Sequence, residues 1–249
     1  MVTFLNTPNL PTQRPQGRFG KVLTRMLMKQ AQVVEAETIA GGFRLLTLES
    51  PAFKDLHWIP GQKVQVAMGS AFVTRTFTPI EWDAKAGRTR IVGYAHGSGP
   101  GSAWVADSKP GDRCDVFGPR ASIDVSRVGG PRVAFGDETS IGLAYALSQQ
   151  SPGNHWECLL EVNSAIHARE GLVKLGLHRV ELFERTGNDL HLQDIERRIP
   201  NLDAVGATFI LTGKASSIQY LRRALKASEV PSSRLVVKPY WAPGKTGLD

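Results

Sequence analysis

Cysteine is scarce in this 249-residue sequence: Cys114 and Cys158 are the two present, far apart and outside any C-x-x-C pair. That excludes a disulfide scaffold, a zinc ribbon and a protein-held iron–sulfur cluster. No apolar run reaches the length of a membrane span, and Met1–Asn9 has no basic stretch followed by an apolar one. Neither a span nor a signal peptide is expected, and a cytoplasmic protein is the simplest reading. The six histidines (His57, His96, His155, His167, His178 and His191) never come within five residues of one another, so no protein-bound metal is expected. No G-x-S-x-G occurs, which argues against a nucleophile elbow. G-x-G-x-x-G after a strand, the dinucleotide fingerprint, is missing too. Asp and Glu are absent from residues 1–30, where Arg14, Arg18, Lys21, Arg25 and Lys29 carry five of the seven excess positive charges of the chain. Such a segment attracts nucleic acid, an anionic membrane or an anionic small molecule, or else is a solvated arm.

What is present reads as globular, with 41% hydrophobic and 21% charged residues in one large domain or two small ones. Residues 1–30 are Pro-rich at first and helix-like from Phe19 to Gln30. Residues 31–128 hold six alternating or branched runs, at Gln32–Ala36, Phe43–Leu48, Lys63–Ala67, Thr74–Pro79, Thr89–Ala95 and Arg113–Phe117. Gly and Pro punctuate them, and Asp83–Gly87 reads as a turn between antiparallel strands. From Gly129 the pattern changes. Strands are expected at Arg132–Phe135, Trp156–Val162, Arg179–Glu184, Thr208–Thr212 and Arg234–Lys238, with helices at Ser140–Gln149, Leu190–Ile199 and Ser216–Ser228. Strands alternating with helices imply a parallel sheet. The expected fold is an arm (1–30), a six-stranded antiparallel barrel (31–128) and an α/β domain with a parallel sheet (129–249).

Three constellations carry candidate chemistry. Arg75-Thr76-Phe77-Thr78 closes a strand. A guanidinium suits a diphosphate, an aromatic ring covers a flat heterocycle, and a hydroxyl donates to a ring nitrogen. An ordinary strand with a surface Arg would look the same. His96 to Trp104 encloses Gly97, Gly99, Pro100 and Gly101, with a helix expected to begin near Ser102 as N-cap. Exposed N–H groups there favour an anion, although a turn before a capped helix needs no ligand. Gly136 to Ser140 lies where the first α/β strand gives way to a helix, the edge at which ligands bind such sheets. Asp137 or Glu138 is then either a buried acid or a cap. Gly213-Lys214 occupies the equivalent later strand end.

Taken together, these motifs resemble the ferredoxin-reductase-type flavoproteins. Pro60-Gly61-Gln62-Lys63-Val64 resembles their PGQ-x-V strand, Arg75 to Thr78 their R-x-Y-[ST] flavin signature, and Lys109 to Asp112 with Gly118-Pro119 their PGD…GP segment. Within that superfamily the sequence is most similar to the siderophore-interacting proteins, flavin-dependent ferric-siderophore reductases of the cytoplasm. The likeness lies in His96 to Trp104, in Gly136-Asp137-Glu138-Thr139, and in Tyr240-Trp241 followed by Gly244. It runs from about Gln32 to Gly244.

The resemblance implies FAD in the barrel and NAD(P)H, or ferredoxin, as donor. Arg75 would hold the FAD diphosphate, with Thr76 beside it, Phe77 covering the ring or ribityl region and Thr78 bonding near flavin N5 as the catalytic contact. Gly97, Gly99, Gly101 and Ser102, framed by His96 and Trp104, would cradle the diphosphate. Asp137, Glu138 and Thr139 would line the space between flavin and nicotinamide domain. Phe77 departs from the usual Tyr, Lys214 from a common Glu, and Ala242-Pro243 from Arg residues. Lys214, Lys238 and Lys245 then become candidates for an anionic ferric siderophore, and Arg222 with Arg223 for the nicotinamide donor. Two other readings remain: a general NAD(P)H:flavin or ferredoxin-type oxidoreductase, and a basic nucleic-acid-binding protein using residues 14–29, where Phe19 is the one aromatic.

Overall fold

The computed structural model describes residues 27–68, 73–97, 99–124, 129–150 and 156–244. Strands β1 (Lys29–Ala40), β2 (Phe43–Glu49), β3 (Lys63–Ala67), β4 (Thr74–Phe77), β5 (Pro79–Asp83), β6 (Arg88–Tyr94) and β7 (Arg113–Arg120) form one seven-stranded antiparallel sheet in the order β4-β3-β7-β1-β2-β6-β5. β4 and β5 are the edges of that ladder, yet only Thr78 separates them in sequence. Laid flat, seven strands at about 4.8 Å spacing would hold the edges nearly 30 Å apart. One residue spans less than about 4 Å, so the sheet curls until its edges meet.

The expected count of six strands is corrected here. The run Thr74–Pro79 is cut at Thr78: β4 pairs with β3, and from Pro79 the chain pairs with β6. Proline has no N–H to continue the ladder and restricts the residue before it. At the other end, Gln30 and Ala31 pair with Asp115 and Cys114 of β7, so the end of the stretch expected as helical is strand. Leu27 and Met28 are not helical either, and residues 19–26 of that stretch lie outside the described residues. The turn at Asp83–Gly87 is present. Asp83 Oδ1 accepts from the N–H groups of Lys85 and Ala86, each at 2.9 Å, and those bonds hold its carboxyl below the usual range.

Inside the barrel, Val33, Leu46, Leu48, Val64, Val66, Ile91 and Val116 are buried, as the period-two alternation of β6 and β7 requires. Helix α1 (Pro100–Asp107) sits over Gly93, where a β-carbon would lie 2.5 Å from Val105. Arg44 of β2 holds the helix end by donating to the carbonyls of Val105 and Ala106.

The second sheet is parallel and five-stranded, in the order β10-β9-β8-β11-β12. Its members are β8 (Arg132–Gly136), β9 (Trp156–Val162), β10 (Val180–Glu184), β11 (Thr208–Lys214) and β12 (Leu235–Trp241). β8 is buried along its whole length, as a strand covered on both faces must be. The helices are α2 (Ile141–Gln150), α3 (Ala165–Lys174), α4 (Leu190–Glu196), α5 (Ile199–Ala204) and α6 (Ala215–Ala227). α3 was not expected, although parallel neighbours such as β9 and β10 need a crossover between them. Leu190–Ile199, expected as one helix, ends at Glu196, and Pro200 stands in the first turn of the next.

The two sheets share a core. Ile39, Phe43, Leu45 and Ile80 of the barrel pack in one buried cluster with Ala134, Leu143, Leu160 and Ala168. The close approach is made at small residues. A β-carbon on Gly142 of α2 would lie 2.5 Å from the carbonyl oxygen of Thr78, and one on Gly41 would lie 2.5 Å from the ring of His167. This seam fixes the strand break at Thr78 against the start of α2.

Candidate functional site

β8 has β9 on one side and β11 on the other, so the chain reverses its direction of winding there. Ligands of open α/β sheets bind beyond the strand ends at such a switch point. In this protein that edge faces the barrel seam. A cavity of about 310 Å³ lies there, lined by β4 with Thr78, by the loop from His96 into α1, by Thr139, and by β12 from Lys238 to Trp241 and on to Ala242.

Ten candidates meet in this cavity: Arg75, Thr76, Phe77, Thr78, His96, Gly99, Gly101, Ser102, Thr139 and Lys238. Arg75 donates to the carbonyl of Thr74 at 2.8 Å. Its aliphatic stem lies so close to Gly101 that a β-carbon there would be 2.8 Å from Cγ. Beyond Gly97 and Gly99, by contrast, a β-carbon would meet nothing within 4 Å, and Gly97 holds φ +66°. This is a loop with room at its backbone beside a guanidinium, a combination that fits a diphosphate.

Helix α1 begins at Pro100 with Gly99 as N-cap, which corrects the expected start at Ser102. The Ser102 hydroxyl instead closes the loop, bonding the carbonyl of His96 and meeting its N–H at 2.9 Å. Trp104 stands behind Phe77, with ring centroids 5.5 Å apart, and does not line the cavity.

Asp137 and Glu138 are buried and do not line the cavity. Asp137 caps the turn that follows β8, accepting from the N–H of Thr139 at 2.9 Å and from its hydroxyl, and from the indole N–H of Trp241 at 2.6 Å. Burial raises its pKa, opposed by those bonds. Glu138 forms a two-pronged pair with Arg185, at 2.7 and 3.0 Å, and accepts from the N–H of Asn163 at 2.6 Å. Lys214 is the N-cap residue of α6, and Arg222 and Arg223 are exposed on that helix; none of the three lines the cavity. Lys245 lies outside the described residues.

Three aromatic residues of the site were not singled out as ligand contacts. Tyr94 stacks on His96 at 5.4 Å, and His96 lies 6.1 Å from Trp241. Tyr240 shares a hydrogen bond with Thr78, and burial drives its pKa up. β12 runs to Trp241 instead of ending at Lys238, which carries both aromatics into the cavity. Their signal was the Tyr240-Trp241 pair in the closing motif.

A curled antiparallel sheet whose glycine loop and Arg-aromatic strand open onto the switch point of a parallel α/β sheet is a ferredoxin-reductase-like fold. Residues 62–123, which hold β3 to β7, match the siderophore-interacting FAD-binding domain family, in line with the resemblance read from the motifs. A relative in Escherichia coli (strain K12), an NADPH-dependent ferric-chelate reductase, is 20% identical over 95% of this chain and 98% of its own. Among solved structures, a siderophore utilization protein from T. fusca aligns with a TM-score of 0.73 at 23% identity, over 89% of this chain and 95% of its own. The siderophore-interacting protein SipS from Aeromonas hydrophila aligns with a TM-score of 0.71 at 22% identity, over 88% and 92%.

Proposed function

We propose that the protein is a FAD-dependent ferric-siderophore reductase, drawing electrons from NAD(P)H, or alternatively ferredoxin, and releasing iron as Fe²⁺. The observation that carries this reading is one cavity joining Arg75 to Thr78, the open glycine loop and the aromatic end of β12. The chemistry FAD supplies when bound is the conversion of a hydride's electron pair into single electrons, enough for two Fe³⁺.

The chain's residues bind and orient. The guanidinium of Arg75 and the backbone at Gly97 and Gly99 would hold the diphosphate. Phe77, backed by Trp104, and Trp241, tethered by Asp137, present apolar rings to a flat heterocycle. Thr78, fixed by Tyr240, presents its hydroxyl at the strand break. The iron is substrate and arrives in its own chelate. Hard anionic oxygen ligands hold Fe²⁺ less well than Fe³⁺, so reduction loosens the complex. With Arg75 assigned to the diphosphate, Lys238 brings positive charge to the cavity, which favours an anionic chelate. A cytoplasmic setting suits Cys114 and Cys158, both unpaired and buried, with thiol pKa values pushed up to about 12 by burial.

The test is anaerobic. FAD-loaded protein is reduced and mixed with a ferric catecholate siderophore, and Fe²⁺ is trapped by a chromogenic chelator. The reading expects two Fe²⁺ per flavin. Turnover confined to quinones or free flavin would move the protein to a general flavin reductase.

A further inference from the structure

We infer that the turn after β8 is closed to a dinucleotide's diphosphate, so that a dihydronicotinamide donor is recognised by its ring and not by its phosphates. The inference rests on the reductase reading above. In sheets of this kind a diphosphate lies on exposed N–H groups where the first strand passes into its helix, over glycines that leave it room.

Here the protein fills that place. Asp137 takes the N–H of Thr139, Ser140 turns its N–H to the carbonyl of Asp137 at 2.8 Å, and Asp137, Glu138, Ser140 and Ile141 are all buried. The glycines of this edge are covered. A β-carbon on Gly136 would lie 2.3 Å from Ser140, one on Gly213 would lie 2.6 Å from the Asp137 carboxylate, and one on Gly142 would lie 2.5 Å from the Thr78 carbonyl. Gly97 and Gly99, on the barrel side, have open space at the same positions. The two kinds of glycine sort the phosphates: the barrel loop has room for one, and the first α/β turn does not. Charge agrees. The turn offers two carboxyl groups, and Arg185 beside it is bound to Glu138 on both prongs. What the edge leaves exposed is Thr139, at the cavity where a nicotinamide ring would meet the flavin.

Without a diphosphate seat the remote part of the donor contributes little binding. Two measurements on FAD-loaded protein test this. In anaerobic stopped flow, NADPH, NADH and reduced nicotinamide mononucleotide are expected to bleach the flavin at rates within about tenfold of one another, rising linearly with concentration. In calorimetry, ADP-ribose and 2′,5′-ADP are expected to show no saturation up to about 1 mM. A preference above about a hundredfold for a full dinucleotide, or ADP-ribose binding tighter than about 50 µM, would overturn the inference and leave the reductase reading standing. Bleaching by dithionite but by none of the three donors would overturn the nicotinamide part of that reading and this inference with it.

Discussion

The indole N–H of Trp241 donates to Oδ2 of Asp137 across 2.6 Å, tying the last residue of β12 to the turn after β8. The same indole lies 6.1 Å from His96 of the barrel, so one side chain spans both halves of the protein at the mouth of the cavity. Asp137 has no solvent exposure, and Gly213 at φ +88° brings its backbone against the carboxylate.

This relationship has a pH signature. Burial holds the folded-state pKa of Asp137 above the unfolded value, against the bonds from Thr139 and Trp241. Its contribution to stability is therefore fully present below about pH 4 and lost as pH rises through the folded value. Asp137→Asn is expected to remove that part of the slope in urea-unfolding free energies measured upward from pH 4. A difference between the two proteins that stays flat with pH would contradict the assignment.

The Arg185–Glu138 pair gives a larger effect. The two side chains are 18% and 4% exposed, and Arg185 also donates to Asn163 Oδ1 at 2.6 Å. Removing one partner leaves a buried charge alone, so Arg185→Ala is expected to cost about 3–5 kcal/mol. Arg185→Met with Glu138→Gln should recover much of it. The check is the midpoint of chemical denaturation for the single and double variants.

Gly101 and Gly142 separate cofactor binding from folding. A methyl group on Gly101 meets the stem of Arg75, so Gly101→Ala is expected to weaken FAD binding with little change in melting temperature. On Gly142 it meets the backbone carbonyl of Thr78, which cannot swing aside, and Gly142→Ala should cost about 1–3 kcal/mol by parting the seam. Fluorescence titration of FAD and thermal melts distinguish the two.

Arg75→Ala is expected to raise the FAD dissociation constant by about ten- to a hundredfold, the loss of charge-assisted hydrogen bonds to a diphosphate. Arg75→Lys should fall between, since a point charge lacks the planar fork. Full flavin occupancy in Arg75→Ala would show that the diphosphate lies elsewhere.

Lys238 lines the cavity beside Ser122, to whose hydroxyl it donates at 3.0 Å. Lys238→Ala is expected to raise the KM for an anionic ferric chelate several-fold, with a smaller effect at high salt. A neutral chelate measured in parallel should show little change.

The sequence made the barrel and the alternating α/β layer legible because both write their period into burial. β7 alternates from Arg113 to Gly118, and β8 is buried throughout, with an apolar run from Val133 to Phe135. The strand break at Thr78 was harder to see, since hydropathy runs on across Thr74–Pro79 while only the missing N–H of Pro79 marks the change of partner. α3 was hidden because exposed Ile166 and Val173 blur its amphipathic pattern. At the site, Arg75, Phe77 and the glycine loop were legible through side-chain chemistry and spacing. Asp137 was legible as a buried acid or a cap and is both, and the Tyr240-Trp241 pair stood in the closing motif. Tyr94 and the bond from Trp241 to Asp137 were not legible, because each depends on contacts between elements far apart in sequence.

The central claim, a flavin held in the cavity at the seam, is tested most directly by the visible absorbance spectrum of protein loaded with FAD and freed of excess by gel filtration. The account expects a retained flavin spectrum at about one FAD per chain, its bands shifted from those of free FAD by the aromatic surroundings. Folded protein that emerges without flavin would contradict the assignment of Arg75, the glycine loop and the aromatic end of β12 to a cofactor.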